Sequence, residues 1–153
     1  RSMPNTSSAF GKGITALYAN DHSSKAFNLA NDLFKKVGHV FALKNEEDMH
    51  AFTSIIGSGQ AYLFEVLRIY LMELEKIASD NGDTVQIFKN FVASLGDAFS
   101  NEPDFETLIN KIKSPGGTTQ AGLESLGKND LEKVFKKAFK AAKNRSIEIS
   151  NEQ

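Results

Sequence analysis

The 153-residue chain is long enough for one domain, and its 41% apolar content with twelve phenylalanines favours a packed core over disorder. Its net charge of −1 gives no general attraction to nucleic acid or to an acidic membrane. The absence of cysteine excludes disulfides, thiolate metal sites and a cysteine nucleophile, and it fits a cytoplasmic protein. No apolar run reaches the roughly 20 residues of a membrane-spanning helix, so no membrane association is expected.

The opening twenty residues show little helical periodicity, and "GITALYA" alternates well enough to predict a short strand. A helix is predicted from the candidate caps Ser23 and Ser24 to about Lys36. Gly38 stands where a C-terminal cap of that helix would belong. The next residues, "HVFAL", predict a second short strand.

The central part of the chain predicts one short helix and one long helix. "DMHAFTSII" predicts the short helix, which ends at Gly57, and the long helix is predicted from about Gln60 to Ser79. The segment "AYLFEVLRIYLMEL" of the long helix is apolar around most of its circumference, whereas a surface helix is apolar on one side. A domain of this size has few places to bury such a helix, so the pattern predicts association between subunits through helix faces.

The last half of the chain predicts four more helices. "DNGD" (Asp80 to Asp83) breaks the pattern, and helices are then predicted over residues 84–99, 105–112, 118–126 with a break at Gly127, and 130–149. The predicted class is therefore all-α, a helical bundle with at most one or two short strands near the N-terminus.

Several common catalytic and cofactor motifs are incomplete. "GSGQAY" has Tyr62 where a dinucleotide-binding fingerprint needs its third glycine, "GKGITA" fails in the same way, and no P-loop is present. His22, His39 and His50 lack the spacing of metal ligands, so no metal site is predicted. Ser58 in "GSG" does not match the G-x-S-x-G pattern of a nucleophilic serine.

The segment from Lys128 to Arg145 carries seven basic and two acidic residues. Such a helix could bind an anionic partner, as a basic adaptor would. The alternative, a solvated polar face, is favoured here, and no nucleic acid partner is expected.

The segment "SPGGTT", Ser114 to Thr119, contains more turn residues than a connection between helices needs. Helix N-termini leave backbone N–H groups free, and glycines let an anion approach them closely, so the segment suits a small carboxylate. The alternative is a well-capped turn with Thr118 as the N-cap and Gly116 and Gly117 in unusual conformations. The residues alone support both interpretations equally.

Four segments, in order and at the expected spacings, resemble the pyrroline-5-carboxylate reductase family. "RSMPNTS" is similar to the "R-x-MPNTP" of that family, and "GSGQAY" is similar to its "GSGPAY". "SPGGTTQAGL" matches its "SPGGTT…GL", and "RSIE" near the end matches its "R-S-x-E". No single segment is diagnostic, but together they are specific.

The resemblance implies that the chain is the C-terminal part of a reductase that converts 1-pyrroline-5-carboxylate to L-proline, the last step of proline biosynthesis. Residues 1–20 would be the end of the nucleotide-binding domain with a linker. Residues 21–153 would be the helical dimerisation and substrate-binding domain, interlocked with a second subunit in a homodimer or a larger homo-oligomer. The chain by itself would be inactive.

The resemblance also implies site residues in the "SPGGTT" loop. The carboxylate of the substrate would be held by the backbone N–H groups of Gly117, Thr118 and Thr119 and by the Ser114 hydroxyl, with Gly116 completing the loop. Thr119 is the predicted catalytic residue: it would lie near the imine nitrogen and help to protonate it while hydride reaches the neighbouring carbon.

The cofactor implied is NADP or NAD, bound mainly by the N-terminal half that is absent from the chain, with Pro4 and Asn5 as contacts on this side. Three residues depart from the family pattern: Gln60 and Ser7 each replace a proline, and Arg68 stands where an acidic residue is common. Gln60 and Arg68 support an alternative function, a non-catalytic helical dimerisation module that kept the fold but lost turnover.

Overall fold

The computed structural model describes residues 1–79 and 82–152, so Asp80 and Asn81 of the predicted "DNGD" break lie outside the described residues. The predicted helical class is confirmed, and the helices are joined to one small sheet. The strands are β1 Ser2–Met3, β2 Gly13–Leu17 and β3 Gly38–Ala42, with a 3-10 helix at Thr6–Phe10. The α-helices are α1 Lys25–Lys35, α2 Asp48–Phe52, α3 Gly59–Glu75, α4 Thr84–Asn101, α5 Phe105–Ile112, α6 Thr118–Lys128 and α7 Leu131–Asn151.

β2 is the central strand of the sheet. It pairs antiparallel with β1, where Ser2 lies opposite Leu17, and parallel with β3, where Gly13 lies opposite Gly38. The parallel pair is joined through α1, since parallel strands need a crossover connection. Both predicted strands are confirmed. The two-residue β1 was not predicted, because two residues are too few to show an alternating pattern.

Gly38 is not the C-terminal cap of α1; that position belongs to Lys36. Gly38 begins β3 with φ of 152°, and a Cβ there would overlap the backbone of Gly13 in the neighbouring strand. Glycine is therefore required by the close approach of two strands, which the sequence pattern alone cannot reveal.

Side-chain caps begin three of the helices. Ser24, one of the two predicted caps, accepts a hydrogen bond from the Phe27 amide at 3.2 Å and begins α1. Asp83 and Asp104 cap α4 and α5 in the same way, each accepting from an amide three residues later at 2.9 Å. These bonds satisfy amides that the helix itself leaves unpaired.

Two helix ends differ from the prediction. α3 ends at Glu75 rather than near Ser79. Gly127 does not break α6, which continues to Lys128. The chain turns instead at Asp130, whose φ is 57°, because aspartate tolerates the left-handed conformation better than most residues do.

The chain divides into two compact units, residues 1–63 with 135–153 and residues 64–134. The first unit has a small core of buried side chains from β2, from α2 and from the loop between β3 and α2: Ala16, Leu17, Leu43, Met49 and Phe52. A π-helical turn, Thr53–Gly57, continues α2. The buried His50 of α2 shares a 2.9 Å hydrogen bond between its Nδ1 and the Ser146 hydroxyl of α7. The predicted boundary at residue 20 falls between β2 and α1 and stays a prediction.

The second unit has no buried residue among those the structure describes. Aromatic rings form contacts between its helices. The ring centroids of Tyr70 and Phe91 lie 6.2 Å apart, and those of the stacked Phe99 and Phe105 lie 4.5 Å apart. Large apolar side chains of α3, of the residues just after it, of α4 and of α5 are exposed: Phe64, Ile69, Tyr70, Met72, Ile77, Val85, Ile87, Phe91, Leu95, Phe105, Ile109 and Ile112.

Candidate functional site

The "SPGGTT" segment forms a tight turn that opens directly into α6. The Gly117 amide donates to the Ser114 carbonyl at 3.0 Å and closes the turn, and the helix begins at Thr118. Gly117 is the N-cap of α6, and no side chain caps the helix. The alternative interpretation was therefore wrong about Thr118, which is the first helical residue and not the cap.

Each glycine of the turn has its own structural reason. Gly116 has φ of 69°, a left-handed conformation that strains a residue with a Cβ. Gly117 has an ordinary φ of −83°, but a Cβ there would overlap the Ser114 hydroxyl oxygen. The Ser114 hydroxyl thus lies directly beside the start of the helix, and a Cβ at 117 would force it into another rotamer.

The amides at the start of α6 differ in their availability. The Gly117 amide is used by the Ser114 carbonyl, and the Gly116 amide donates to the Gln120 side chain at 2.9 Å. Thr118 and Thr119 belong to the first turn of the helix, where amides have no carbonyl partner within the helix. Thr118 is exposed and Thr119 is half-buried. These two amides are therefore suited to donate to an acceptor from outside the helix.

Gln120 is a residue of this helix start that the sequence reasoning missed. It is the third residue of α6, its side-chain oxygen accepts from Gly116, and its NH2 group donates to Glu124 at 2.8 Å. Gln120 stands three positions after the N-cap, as in a capping box, but Gly117 lacks the hydroxyl of that motif and the bond goes to the Gly116 amide, so no sequence signal indicated it. The bond ties the left-handed glycine to the helix and holds the turn in shape.

Pro4 and Asn5, the predicted cofactor contacts, lie in the first unit, whereas the "SPGGTT" loop lies in the second. Asn5 precedes the 3-10 helix, and its side-chain oxygen accepts from the Ile14 amide of β2 at 2.9 Å. This bond orients the NH2 group of Asn5 as a remaining donor, while Pro4 is exposed. An exposed proline beside an oriented amide is compatible with a polar ligand at this segment.

Arg68, the third departure from the family pattern, is satisfied within its own helix. Its Nε donates to Glu65 one turn earlier at 2.8 Å, and a second guanidinium nitrogen bonds the other carboxylate oxygen. These hydrogen bonds lower the pKa of Glu65 and raise the pKa of Arg68. The positive charge of Arg68 is therefore paired with the carboxylate of Glu65 in the same helix.

Other features of the described residues do not add to the site. No group of three His, Asp or Glu side chains in residues 1–79 and 82–152 is placed to hold a metal ion. A cavity of about 670 Å³ beside β3 is lined mainly by apolar side chains, among them Phe41, Leu43 and Phe52, and by none of the predicted site residues. Within the same described ranges, no helix is both long and apolar enough to cross a membrane.

Comparison with known families matches residues 46–149 to the family described as pyrroline-5-carboxylate reductase dimerisation. Among curated proteins, the pyrroline-5-carboxylate reductase of Staphylococcus aureus is 33% identical over 99% of this chain and 56% of its own length. The enzyme of Staphylococcus haemolyticus is 32% identical over the whole chain and 57% of its own length. The chain thus spans little more than half of these relatives, and the part that it matches is their C-terminal portion.

Solved structures give the same result. A pyrroline-5-carboxylate reductase of Coxiella burnetii superposes with a TM-score of 0.85 and 30% identity, covering 97% of this chain and 56% of that one. A pyrroline carboxylate reductase of Plasmodium falciparum, solved with NADP bound, gives a TM-score of 0.81 and 26% identity over 95% of this chain and 60% of that one. The resemblance seen in the four sequence segments is confirmed, and the chain belongs to the pyrroline-5-carboxylate reductase family, of which it carries the dimerisation region.

Proposed function

We propose that the chain is the C-terminal dimerisation and substrate-binding part of an enzyme that reduces 1-pyrroline-5-carboxylate to L-proline with NAD(P)H. The observation that carries the proposal is the start of α6 in a member of this family: the Thr118 and Thr119 amides lie in the first turn, where amides lack helical partners, and the Ser114 hydroxyl lies beside Gly117. The reaction would be the last step of proline biosynthesis and would take place in the cytoplasm.

The substrate's carboxylate suits this helix start for electrostatic reasons. Free amides and the helix dipole at an N-terminus favour an anion without a basic side chain. The amides of Thr118 and Thr119 and the Ser114 hydroxyl would donate to the carboxylate. Gly116, Gly117 and the Gln120 side chain would keep the turn in the conformation that directs these donors outward.

Thr119 would act on the ring nitrogen of the substrate. Its hydroxyl can donate a hydrogen bond to the nitrogen, or pass it a proton that water returns to the hydroxyl, as the neighbouring carbon accepts hydride from the cofactor. A protonated imine is cationic, so a neutral hydroxyl beside it costs less than a lysine would. The loop would orient the substrate and shield it from bulk solvent. Orientation of this kind accounts for much of the rate enhancement in such reactions.

NADP or NAD would be bound mainly by residues upstream of Arg1, with Pro4 and Asn5 completing the contact. The cofactor supplies the hydride, and the residues of this chain supply binding and orientation. The NH2 group of Asn5 is the donor on this side, and the Ile14 amide holds it in place.

The second unit would bury its exposed apolar faces against a second copy of the chain in a homodimer or a larger homo-oligomer. Phe64, Ile77 and Phe105 are each at least 65% exposed, and exposed apolar groups of this size mark an interaction surface. The name of the matched family, a dimerisation region, supports this assignment.

The proposal is tested in the protein that carries this chain together with its upstream half. NADPH absorbance is followed with the imine acid as substrate, and Thr119→Val is expected to lower kcat by about 100-fold, as loss of a proton donor does. Thr84→Val is the matched control, because Thr84 also lies in the first turn of a helix but outside the site. Full activity of Thr119→Val would remove Thr119 from its role. No turnover by the parent protein at any concentration would favour the non-catalytic dimerisation module instead.

A further inference from the structure

Two side-chain hydrogen bonds join the start of α3 to the 3-10 helix that follows Pro4 and Asn5. The Gln60 side-chain oxygen accepts from the Thr6 hydroxyl at 2.9 Å, and its NH2 group donates to the Ser7 hydroxyl at 2.6 Å. The two partners are adjacent in sequence but more than fifty residues away from Gln60. Attachment at two neighbouring points restricts both the position and the rotation of the segment. We refer to Thr6, Ser7 and Gln60 as the polar clamp.

The polar clamp works together with a second attachment of the same segment. The Asn5 side chain accepts from the Ile14 amide at 2.9 Å, which ties the segment to β2. Asn5 also accepts at its carbonyl from the Ser8 amide at 3.2 Å, which begins the 3-10 helix. Asn5 is therefore fixed by its own bond to β2 and by the polar clamp on the two residues that follow it, and loss of either attachment leaves its NH2 group less well oriented.

We propose that Gln60 is a positioning residue for the cofactor: through Thr6 and Ser7 it sets the orientation of Pro4 and Asn5. The inference rests on the proposed function, in which Pro4 and Asn5 face the cofactor. Gln60 itself touches neither cofactor nor substrate in this account. It acts on the affinity for the nucleotide rather than on the chemistry at the "SPGGTT" loop.

Two of the three polar-clamp residues, Ser7 and Gln60, stand at positions where the family has prolines. Ser7 and Gln60 each lie in the first turn of a helix, where proline is readily accepted because the amide has no helical partner. Prolines at these positions could form neither of the two side-chain hydrogen bonds, whereas this chain forms both. The two exchanges are therefore coupled: a proline at 60 alone would leave the hydroxyls of Thr6 and Ser7 without the partners they now have.

The experiment uses the protein with its upstream half and compares Gln60→Ala, Gln60→Pro and the double variant Ser7→Pro with Gln60→Pro. Loss of two hydrogen bonds is expected to raise the KM for NADPH by about tenfold in Gln60→Ala and Gln60→Pro. The KM for the imine acid is expected to change by less than about twofold, since the "SPGGTT" loop is not altered. The double variant is expected to recover most of the NADPH affinity.

Gln86→Ala is the matched control, because Gln86 is an exposed glutamine of α4 whose side chain donates to Asn90 of the same helix at 3.1 Å. Its kinetic constants are expected to equal those of the parent protein. An unchanged KM for NADPH in Gln60→Ala overturns the inference. An equal rise of both KM values overturns it as well, because that result indicates general loosening of the fold.

Hydrogen exchange separates failure of the inference from failure of the proposed function. Gln60→Ala is expected to speed exchange of the Ser8, Gly11 and Lys12 amides, which are bonded within the clamped segment, and to leave the amide of Leu43 unchanged. If the parent protein neither binds NADP+ nor reduces the imine acid, the proposed function fails, and with it the role toward the cofactor. Faster exchange in that case still establishes the polar clamp, whereas unchanged exchange overturns it.

Discussion

The two units of the chain use the same proportion of apolar residues in opposite ways. Residues 1–63 with 135–152 close a small core, in which Ala16, Leu17 and Met49 are at most 3% exposed. No described residue between 64 and 134 is buried, although this region holds many of the phenylalanines and isoleucines. The difference teaches that the first unit obtains its tertiary stability within the chain, while the second must obtain it from another surface.

Local interactions keep the helices of the second unit intact without such a core. Asp83 and Asp104 cap α4 and α5, Arg68 pairs with Glu65, and Lys76 pairs with Glu73 one turn away. Interactions of this kind stabilise individual helices but do not pack them together. The packing energy is therefore expected to appear only on association.

A charge on the exposed apolar face of the second unit is the strongest test of this difference. Phe64→Lys is expected to raise the dimer dissociation constant at least about 100-fold, because each buried phenylalanine contributes about 1.5–3 kcal/mol and a two-fold interface contains it twice. Sedimentation velocity over a concentration series measures the effect. Gln86→Lys adds the same charge at a polar position and is expected to leave the dimer intact. A normal dimer of Phe64→Lys would show that this face is not the interface.

Removal of a core side chain tests the first unit in the same manner. Phe52 is 8% exposed and stacks on Phe41 with ring centroids 5.8 Å apart, so Phe52→Ala should lower the free energy of unfolding by about 3–5 kcal/mol. Phe10, in the same unit, is 81% exposed, and Phe10→Ala should change that free energy by less than about 0.5 kcal/mol. Urea unfolding measures both. Equal effects at the two positions would contradict the assignment of the core.

Loss of a cap in the first unit should have a smaller effect. Ser24→Ala removes the acceptor for the Phe27 amide and should cost about 1 kcal/mol of stability. The change is measured by the same urea titration. Ser125→Ala, in the middle of α6, is the control and is expected to stay within about 0.5 kcal/mol of the parent protein.

The smallest expected effect concerns how the second unit loses helical structure at low pH. Hydrogen bonds from the Thr107 hydroxyl and amide lower the pKa of Asp104 below its ordinary value of 3.8. A carboxyl with a depressed folded pKa contributes stability above its unfolded pKa, and this contribution is lost as the pH falls through the folded pKa. Asp104→Asn should therefore reduce the loss of helix signal below about pH 4 in a circular dichroism titration. An unchanged loss of helix signal at low pH would mean that the ionised Asp104 cap does not stabilise α5.

Much of the local structure followed from the sequence. The cap at Ser24, the start of α4 at Thr84 and both bounds of α5 agree with the predicted pattern. The short strand β1, the strand position of Gly38 and the role of Gln120 did not follow, because each depends on a neighbour that is distant in sequence or on a single side-chain direction. The placement of Ser114 and Thr119 in the site stays a prediction, although the geometry of their turn is now described.

The sequence by itself determined the positions of the helices, the turn-forming loop at residues 114–119 and the family, because hydrophobic periodicity, capping residues and motif spacing are local properties. Only the tertiary structure decided which unit closes its own core and that Gln60 meets Ser7. These features depend on contacts between distant residues, and such contacts are set by the packing of the whole chain rather than by any segment of it.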